Sequence, residues 1–392
     1  QDSSFSLSEV SDQIVLKHLQ GLNPNKSTGL DKLPARFLRD GASGIYKQIS
    51  FIINISIRTS TVPANFKTAK VVPIYKKDNK FDVGNYRPVS ILSSLSKILE
   101  RIIYDQFEAY LLDNNLLYEY QSGFRSNFST DTCLIYLNDY LKRQVSNGNY
   151  VGMILIDLRK AFDTVNHAIL CNKLKSVGLN DSSVAWFKSY LENRSQVVEV
   201  NGAKSDMCKI TCGVPQGSIL GPILFNVYVN DMCSSVGCKL LLYADDSAII
   251  TSDKNLKVVE DSLTTELQNL SNWLIDNRLS LHLGKTECIL FGSKRKLKKV
   301  AGLNITCNGI KVGCTKQVKY LGAQLDQSLT GDAMAKSVHS KVNGRLKYLY
   351  RQGRYLSQDL KKTLCNALIS PNFDYACSSW FNGVSVKFKY KL

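Results

Sequence analysis

Two adjacent aspartates, Asp245 and Asp246, stand between two short apolar runs, residues 239–243 and 247–251, which restricts this stretch to a tight hairpin with carboxylates at its tip. Residues 151–158 form an apolar run interrupted at Asp157, the pattern of a buried strand whose carboxylate emerges at its end. Like charges held this close repel, and their pKa values would be driven apart unless a cation lay among them. Hard oxygen ligands suit Mg²⁺, with Mn²⁺ as a substitute. Two such ions about 3.5–4 Å apart can activate an attacking hydroxyl and stabilise a leaving oxygen. Asp157, Asp245 and Asp246 are therefore metal candidates, and the small Ala244 beside them would let a substrate pass close to the turn.

The rest of the chain reads as mixed helix and strand. Helical apolar spacing marks residues 9–19 and 91–112, and 49–57 is mostly apolar. A strand-like stretch, 69–75, precedes a polar loop at 76–86. Asn166 can cap a helix running to about residue 177, and 182–191 is helical in pattern. Residues 196–200 and 203–210 flank Asn201 and Gly202, a strong hairpin signal. A loop at 212–217 opens an apolar helix to about residue 229. Farther on, 256–279 is helical, 287–291 and 318–325 are strand-like, and helical spacing returns from Asp332. No internal repeat or low-complexity linker divides the chain, so its subdomains must share a continuous structure.

Charge is distributed unevenly. The 392 residues include 50 Lys+Arg and 33 Asp+Glu, a formal +17. Residues 1–280 carry 30 basic and 28 acidic groups, a net +2, whereas 281–392 carry 20 and 5, a net +15. The excess includes Lys294, Arg295, Lys296, Lys298 and Lys299, then a spaced series in which Lys341, Arg345 and Lys347 stand near Tyr348, Tyr350 and Tyr355. A solvated face explains an isolated run; a region this lopsided points to phosphate, with the tyrosines either stacking or packing in a core. The 44% hydrophobic content excludes disorder. No apolar run reaches the roughly 18–20 residues of a membrane span, and no signal-peptide pattern opens the chain. The start at Gln1 suggests a fragment of something longer. Eleven cysteines without a C-x-x-C, and only four His, argue against zinc or a disulfide framework and for reduced thiols inside the cell.

In order, residues 151–167 (VGMILIDLRKAFDTVNH), 213–231 (GVPQGSILGPILFNVYVND) and 241–250 (LLYADDSAII) resemble motifs A, B and C of a reverse transcriptase. Residues 26–34 (KSTGLDKLP), 85–92 (NYRPVSIL), 121–132 (QSGFRSNFSTDT), 279–291 (LSLHLGKTECILF) and 318–326 (VKYLGAQLD) narrow the resemblance to non-LTR retrotransposons of the jockey-like, LINE type.

The resemblance implies an α+β right-hand polymerase: fingers with an N-terminal extension at 1–150, a palm at 151–325 including a fingers insertion at about 166–211, and a helical thumb, whole or truncated, at 326–392. The palm would be a ferredoxin-like sheet with helices on one face. It implies two Mg²⁺ ions on Asp157, Asp245 and the backbone carbonyl of Leu158, with Asp246 more peripheral, and a motif D Lys285 that protonates pyrophosphate. Phe162 takes the place of a steric gate against a ribose 2′-OH, or is an ordinary core residue. Arg87, with either Lys76 or Lys77, would grip the dNTP triphosphate; Gln216 would lie near the sugar, and Gly217 would let backbone approach closely. Tyr320, Leu321 and Gly322 match a primer grip, and Lys341, Arg345 and Lys347 would hold nucleic-acid backbone. The implied activity is RNA-directed DNA polymerisation, with an RNA template, a DNA primer and dNTPs, no membrane partner, and a separate or missing endonuclease domain. The nucleus is the implied location, a cytoplasmic ribonucleoprotein the other. Two rivals remain: an RNA-dependent RNA polymerase, for which Asp163 would be the 2′-OH acceptor, and a catalytically silent RNA-binding relic.

Overall fold

The computed structural model describes residues 4–391 and divides them between two units that alternate along the chain. The three N-terminal residues, including Gln1, and Leu392 at the end of the basic tail lie outside the described residues. Unit one takes the chain up to Tyr118, Lys160–Asp231 and Asp276–Leu279; unit two takes Glu119–Arg159, Met232–Ile275 and the chain from Ser280 onward. The strands are β1 Thr68–Tyr75, β2 Tyr86–Ile91, β3 Tyr150–Ile156, β4 Arg194–Val200, β5 Ala203–Lys204, β6 Cys208–Ile210, β7 Lys239–Tyr243, β8 Asp246–Asp253, β9 Glu287–Phe291, β10 Thr306–Cys307, β11 Ile310–Lys311, β12 Gly313–Thr315, β13 Gln317–Tyr320 and β14 Ala323–Asp326.

Unit one pairs β1 antiparallel with β2 and parallel with β4. Asn201 and Gly202, at φ 50° and 84°, close the β4–β5 turn as their sequence predicts. The predicted arm 203–210 breaks in two: β5 is short, and β6 pairs back onto the start of β4, because Ser205 Oγ takes the Val198 N–H. The Asn166 side chain accepts from Ile169 N at 3.1 Å and starts the helix His167–Ser176. The largely apolar stretch after Gly217 becomes the helix Leu220–Tyr228, buried along nearly its full length. It begins where Ile219 N donates to the buried Glu100 carboxylate at 2.6 Å.

Unit two is built on the sheet order β12-β9-β3-β8-β7, antiparallel except for β12 on β9. Ranked by chain order, with β3 first and β9 fourth, the four strands β9-β3-β8-β7 read fourth, first, third, second across the sheet, the order of a split βαβ sheet. The expectation of helices on one face is not met. Gly152 has no side chain, and Val259 and Leu263 of the helix Leu256–Asp276 occupy the space a Cβ would take. On the opposite face Val151 and Met153 pack with Leu134, Leu137 and Leu141 of the helix Thr130–Ser146. An uninterrupted apolar strand requires cover on both sides, and it has it.

The 318–325 stretch is also not one strand. It is the hairpin β13–β14, turning at Leu321 and Gly322 with φ of 44° and 83°. Beyond it the helix Asp332–Gln352 places Met334, Val338 and Val342, with Trp380, in the same core as Val151 and Met153. Among the described residues no helix is long and apolar enough to cross a membrane.

Candidate active site

The register of β3 and β8 decides which carboxylates meet. Ile156 pairs with Ser247 and Leu155 with Ala248, so the next step of the ladder sets Asp157 opposite Asp246. Both line one cavity of about 330 Å³, with Lys285, Lys319, Tyr320 and Gly322. Asp245 is exposed at the hairpin tip and is not among the walls, so Asp246, expected to be the peripheral carboxylate, is the one that faces the cavity with Asp157.

The turn itself is braced from behind. Ala244 holds φ at 57°, which an L-residue adopts only when its surroundings compel it. Gln121 Oε1 accepts from Ala244 N at 3.2 Å and from Gly123 N at 2.9 Å. Gly123 lies so close that a Cβ there would come within 2.2 Å of Ala244 N. Ala244 is buried against this segment, so its small size answers to packing as much as to any passing substrate.

A second loop pins the end of β3. His282 N donates to the Asp157 carbonyl at 2.8 Å and Arg159 N to the Ser280 carbonyl at 2.9 Å, around the bridge Leu158–Leu281. This ladder uses the backbone groups on either side of Leu158 and leaves the Leu158 carbonyl out of it. The same loop brings Lys285 Nζ to 3.8 Å from Asp157 Oδ2, a half-exposed ion pair. Among the described residues no three His, Cys, Asp or Glu side chains are grouped to hold an ion. Glu287 also lines the cavity but is not grouped with Asp157 and Asp246, and two carboxylates fit Mg²⁺, which binds through one or two of them and completes its shell with water and substrate phosphate.

Tyr320 is buried, its hydroxyl 4.0 Å from Cys133 Sγ, and the Tyr375 hydroxyl donates to the Leu321 carbonyl. The β13–β14 turn is thus fixed on the cavity wall by its own backbone. Lys341 and Lys347 are exposed on the helix Asp332–Gln352, but the Arg345 guanidinium donates to the Leu368 carbonyl at the end of the helix Gln358–Leu368. Arg345 therefore holds two helices together.

In unit one, Arg87 is exposed on β2 opposite Ile74 of β1. Strand alternation carries the Ile74 face to Lys76, whose N–H bonds the Asn85 carbonyl at 2.9 Å. Lys77 instead lies 3.9 Å from Asp78. Phe162 is half-buried and stacks on the buried Phe225, centroids 4.4 Å apart. Gln216 Nε2 donates to Asp163 Oδ1 at 2.8 Å, and its carbonyl accepts from Ser90 N at 2.7 Å. Burial raises the Asp163 pKa above the ordinary carboxylate value, and the Gln216 bond opposes that rise. Gly217, at φ 116°, would set a Cβ 2.4 Å from the Ser90 carbonyl, so glycine is obligatory on two grounds.

Sequence reasoning assigns no role to Gln121, Gly123, Ser90 or the Asp163–Gln216 pair. All of them lie within blocks that carry the resemblance, and that is the available signal.

Comparison with known proteins agrees with the motif order. The chain is 28% identical over 388 residues to the RNA-directed DNA polymerase from mobile element jockey of Drosophila funebris, covering 95% of this chain and 42% of that protein. It is 27% identical over 388 residues to a probable RNA-directed DNA polymerase from transposon BS of Drosophila melanogaster, covering 96% of this chain and 42% of that one. The chain thus spans about two fifths of the length of these curated relatives. Residues 74–325, which hold every cavity carboxylate and the whole Asp163–Gln216 contact, match the family model of the Reverse transcriptase (RNA-dependent DNA polymerase), and the chain belongs to that family.

Proposed function

We propose that this chain is the polymerase part of a non-LTR retrotransposon protein, an RNA-directed DNA polymerase that extends a DNA primer 3′-OH on an RNA template and releases pyrophosphate. The observation that carries the reading is the β3–β8 register, which brings Asp157 and Asp246, at the ends of adjacent antiparallel strands, onto the wall of one cavity. Held by Asp157 and Asp246, with Asp245 and the Leu158 carbonyl as further donors, two Mg²⁺ ions or Mn²⁺ in their place would supply hydroxyl activation and charge neutralisation.

The chain's own residues do the rest. Lys285 stands beside Asp157 and would hold a proton for the departing pyrophosphate. Arg87 and Lys76, sharing one strand face, would bind the triphosphate; Lys77 is drawn toward Asp78. Phe162, kept in place by Phe225, would exclude a ribose 2′-OH, with Gln216 near the sugar. Tyr320, Leu321 and Gly322 would seat the primer end, and Lys341 and Lys347 the duplex backbone, with Arg345 contributing through its hold on Leu368. In this reading the β3-β7-β8-β9 sheet is the palm, residues 1–150 with about 166–211 the fingers, and 326–392 the thumb. Template, target and any endonuclease would belong to the whole retrotransposon protein, acting in the nucleus or in a cytoplasmic ribonucleoprotein. The RNA polymerase alternative loses support because the Asp163 carboxylate already accepts from Gln216.

Primer extension on an RNA template with Mg²⁺, comparing dNTPs with NTPs and the parent with Asp157→Ala, tests the reading. Incorporation of dNTPs that disappears in the variant is expected; equal activity in a folded variant would sink it.

A further inference from the structure

Asp163 is one residue beyond the aromatic gate position, and the mechanism above gives it no task. Its hydrogen bond with Gln216 joins residues 53 apart in sequence. A backbone clasp makes that bond possible. Val214 N donates to the Phe162 carbonyl and Gly213 N to the Val165 carbonyl, each at 2.8 Å. Gly213, at φ 86°, comes so close that a Cβ would lie 2.6 Å from the Asp163 carbonyl oxygen. From the other side Ser90 N holds the Gln216 carbonyl at 2.7 Å, three residues along β2 from Arg87. Gln216 is therefore tied at both its backbone and its side chain.

A glutamine carboxamide has two chemically different ends that a mere rotation exchanges. An ionised carboxylate only accepts hydrogen bonds, so it selects the rotamer that turns Nε2 toward it and rejects the one that would bring Oε1 against Oδ1. We infer that Asp163 is a positioning residue: it locks the Gln216 carboxamide in one orientation, leaving the Oε1 acceptor and the second N–H for the sugar of the incoming deoxynucleotide. The assignment rests on the polymerase reading. It also explains why an acidic residue can follow the gate without recruiting ribonucleotides, since its carboxylate is already engaged.

The test is steady-state primer extension, with thermal unfolding, on the parent, Asp163→Ala, Asp163→Asn, Gln216→Ala and the Asp163→Ala/Gln216→Ala double variant. Loss of one hydrogen bond to a charged group predicts a KM for dNTP raised roughly tenfold in Asp163→Ala, with kcat within about threefold of the parent. Asp163→Asn keeps an acceptor at Oδ1 but adds a donor end that also tolerates the flipped Gln216 carboxamide, so it should recover KM only in part, to a value between those of the parent and Asp163→Ala. The double variant should be no worse than Gln216→Ala alone, because removing either partner already abolishes the bond. Multiplying losses in the double variant would overturn the assignment. So would an Asp163→Asn as impaired as Asp163→Ala, or an Asp163→Ala that melts lower while its KM is unchanged, the mark of a purely structural role. A folded parent that adds no nucleotide would overturn the polymerase reading and the assignment with it; an active parent failing any of the other comparisons would overturn the assignment alone.

Discussion

Replacing Gly123 with alanine should disable the carboxylate hairpin without touching a carboxylate. The added Cβ would lie 2.2 Å from Ala244 N, 2.8 Å from Tyr243 C and 3.0 Å from Ala244 Cα. Ordinary contact begins at 3.4 Å, so one side must retreat by 3.4 − 2.2 = 1.2 Å. All three atoms are backbone, and no side-chain rotation can relieve them. Overpacking of this kind costs about 1–3 kcal/mol. The retreat also strains the two hydrogen bonds that Gln121 Oε1 receives, roughly another 1 kcal/mol. A loss of about 2–4 kcal/mol in urea unfolding is the expected sum. Because the turn carries Asp245 and Asp246, a shift near 1 Å should lower kcat on the order of a hundredfold. The KM for dNTP should change far less, since Arg87 and Gln216, the proposed dNTP contacts, belong to the other unit. A Gly123→Ala variant with the parent's unfolding midpoint and the parent's kcat would refute the idea that this segment sets the position of the turn.

Two other perturbations test separate parts of the structure. Glu100 is buried, and burial raises its pKa above the ordinary carboxylate value, opposed by the Ile219 N–H, Arg194 and the Tyr190 hydroxyl. A carboxyl raised in the fold favours the folded state fully only below its unfolded pKa and loses that contribution as pH rises through the folded one. Glu100→Gln should therefore remove a decline in stability with rising pH that the parent shows above about pH 4.3, measured by unfolding at a series of pH values; equal slopes would refute it. Lys341→Gln with Lys347→Gln should reduce the salt slope of duplex binding by roughly 0.9 for each phosphate that is no longer neutralised, read by fluorescence anisotropy, and an unchanged slope would place the duplex elsewhere. Arg345→Gln should lower the unfolding midpoint as well, because it also releases the Leu368 carbonyl.

How much of the fold is legible in the sequence depends on the range of the interaction. Hairpin β7–β8 and the cap at Asn166 are written in neighbouring residues, and both form where the pattern puts them. The β13–β14 hairpin reads as one strand in the sequence because its turn places Leu321 at φ 44°, a conformation that leucine does not advertise, and only Gly322 hints at it. Helices on one face of the sheet are the expectation, although the unbroken apolar run of β3 is compatible with cover on both, and the missing side chain at Gly152 becomes meaningful only once Val259 and Leu263 fill its place.

The site divides along the same line. The types and order of the carboxylates point to a metal-dependent chemistry, yet which of Asp245 and Asp246 faces Asp157 is a question of register, and register is set by the Ile156–Ser247 pairing. Charge is the least transferable signal. The +15 of residues 281–392 counts Arg345, Lys341 and Lys347 alike, and all three are exposed, although the Arg345 guanidinium is engaged with the Leu368 carbonyl. A net charge measures the field a region can offer to phosphate; the availability of each cation depends on which helix carbonyls have already claimed it.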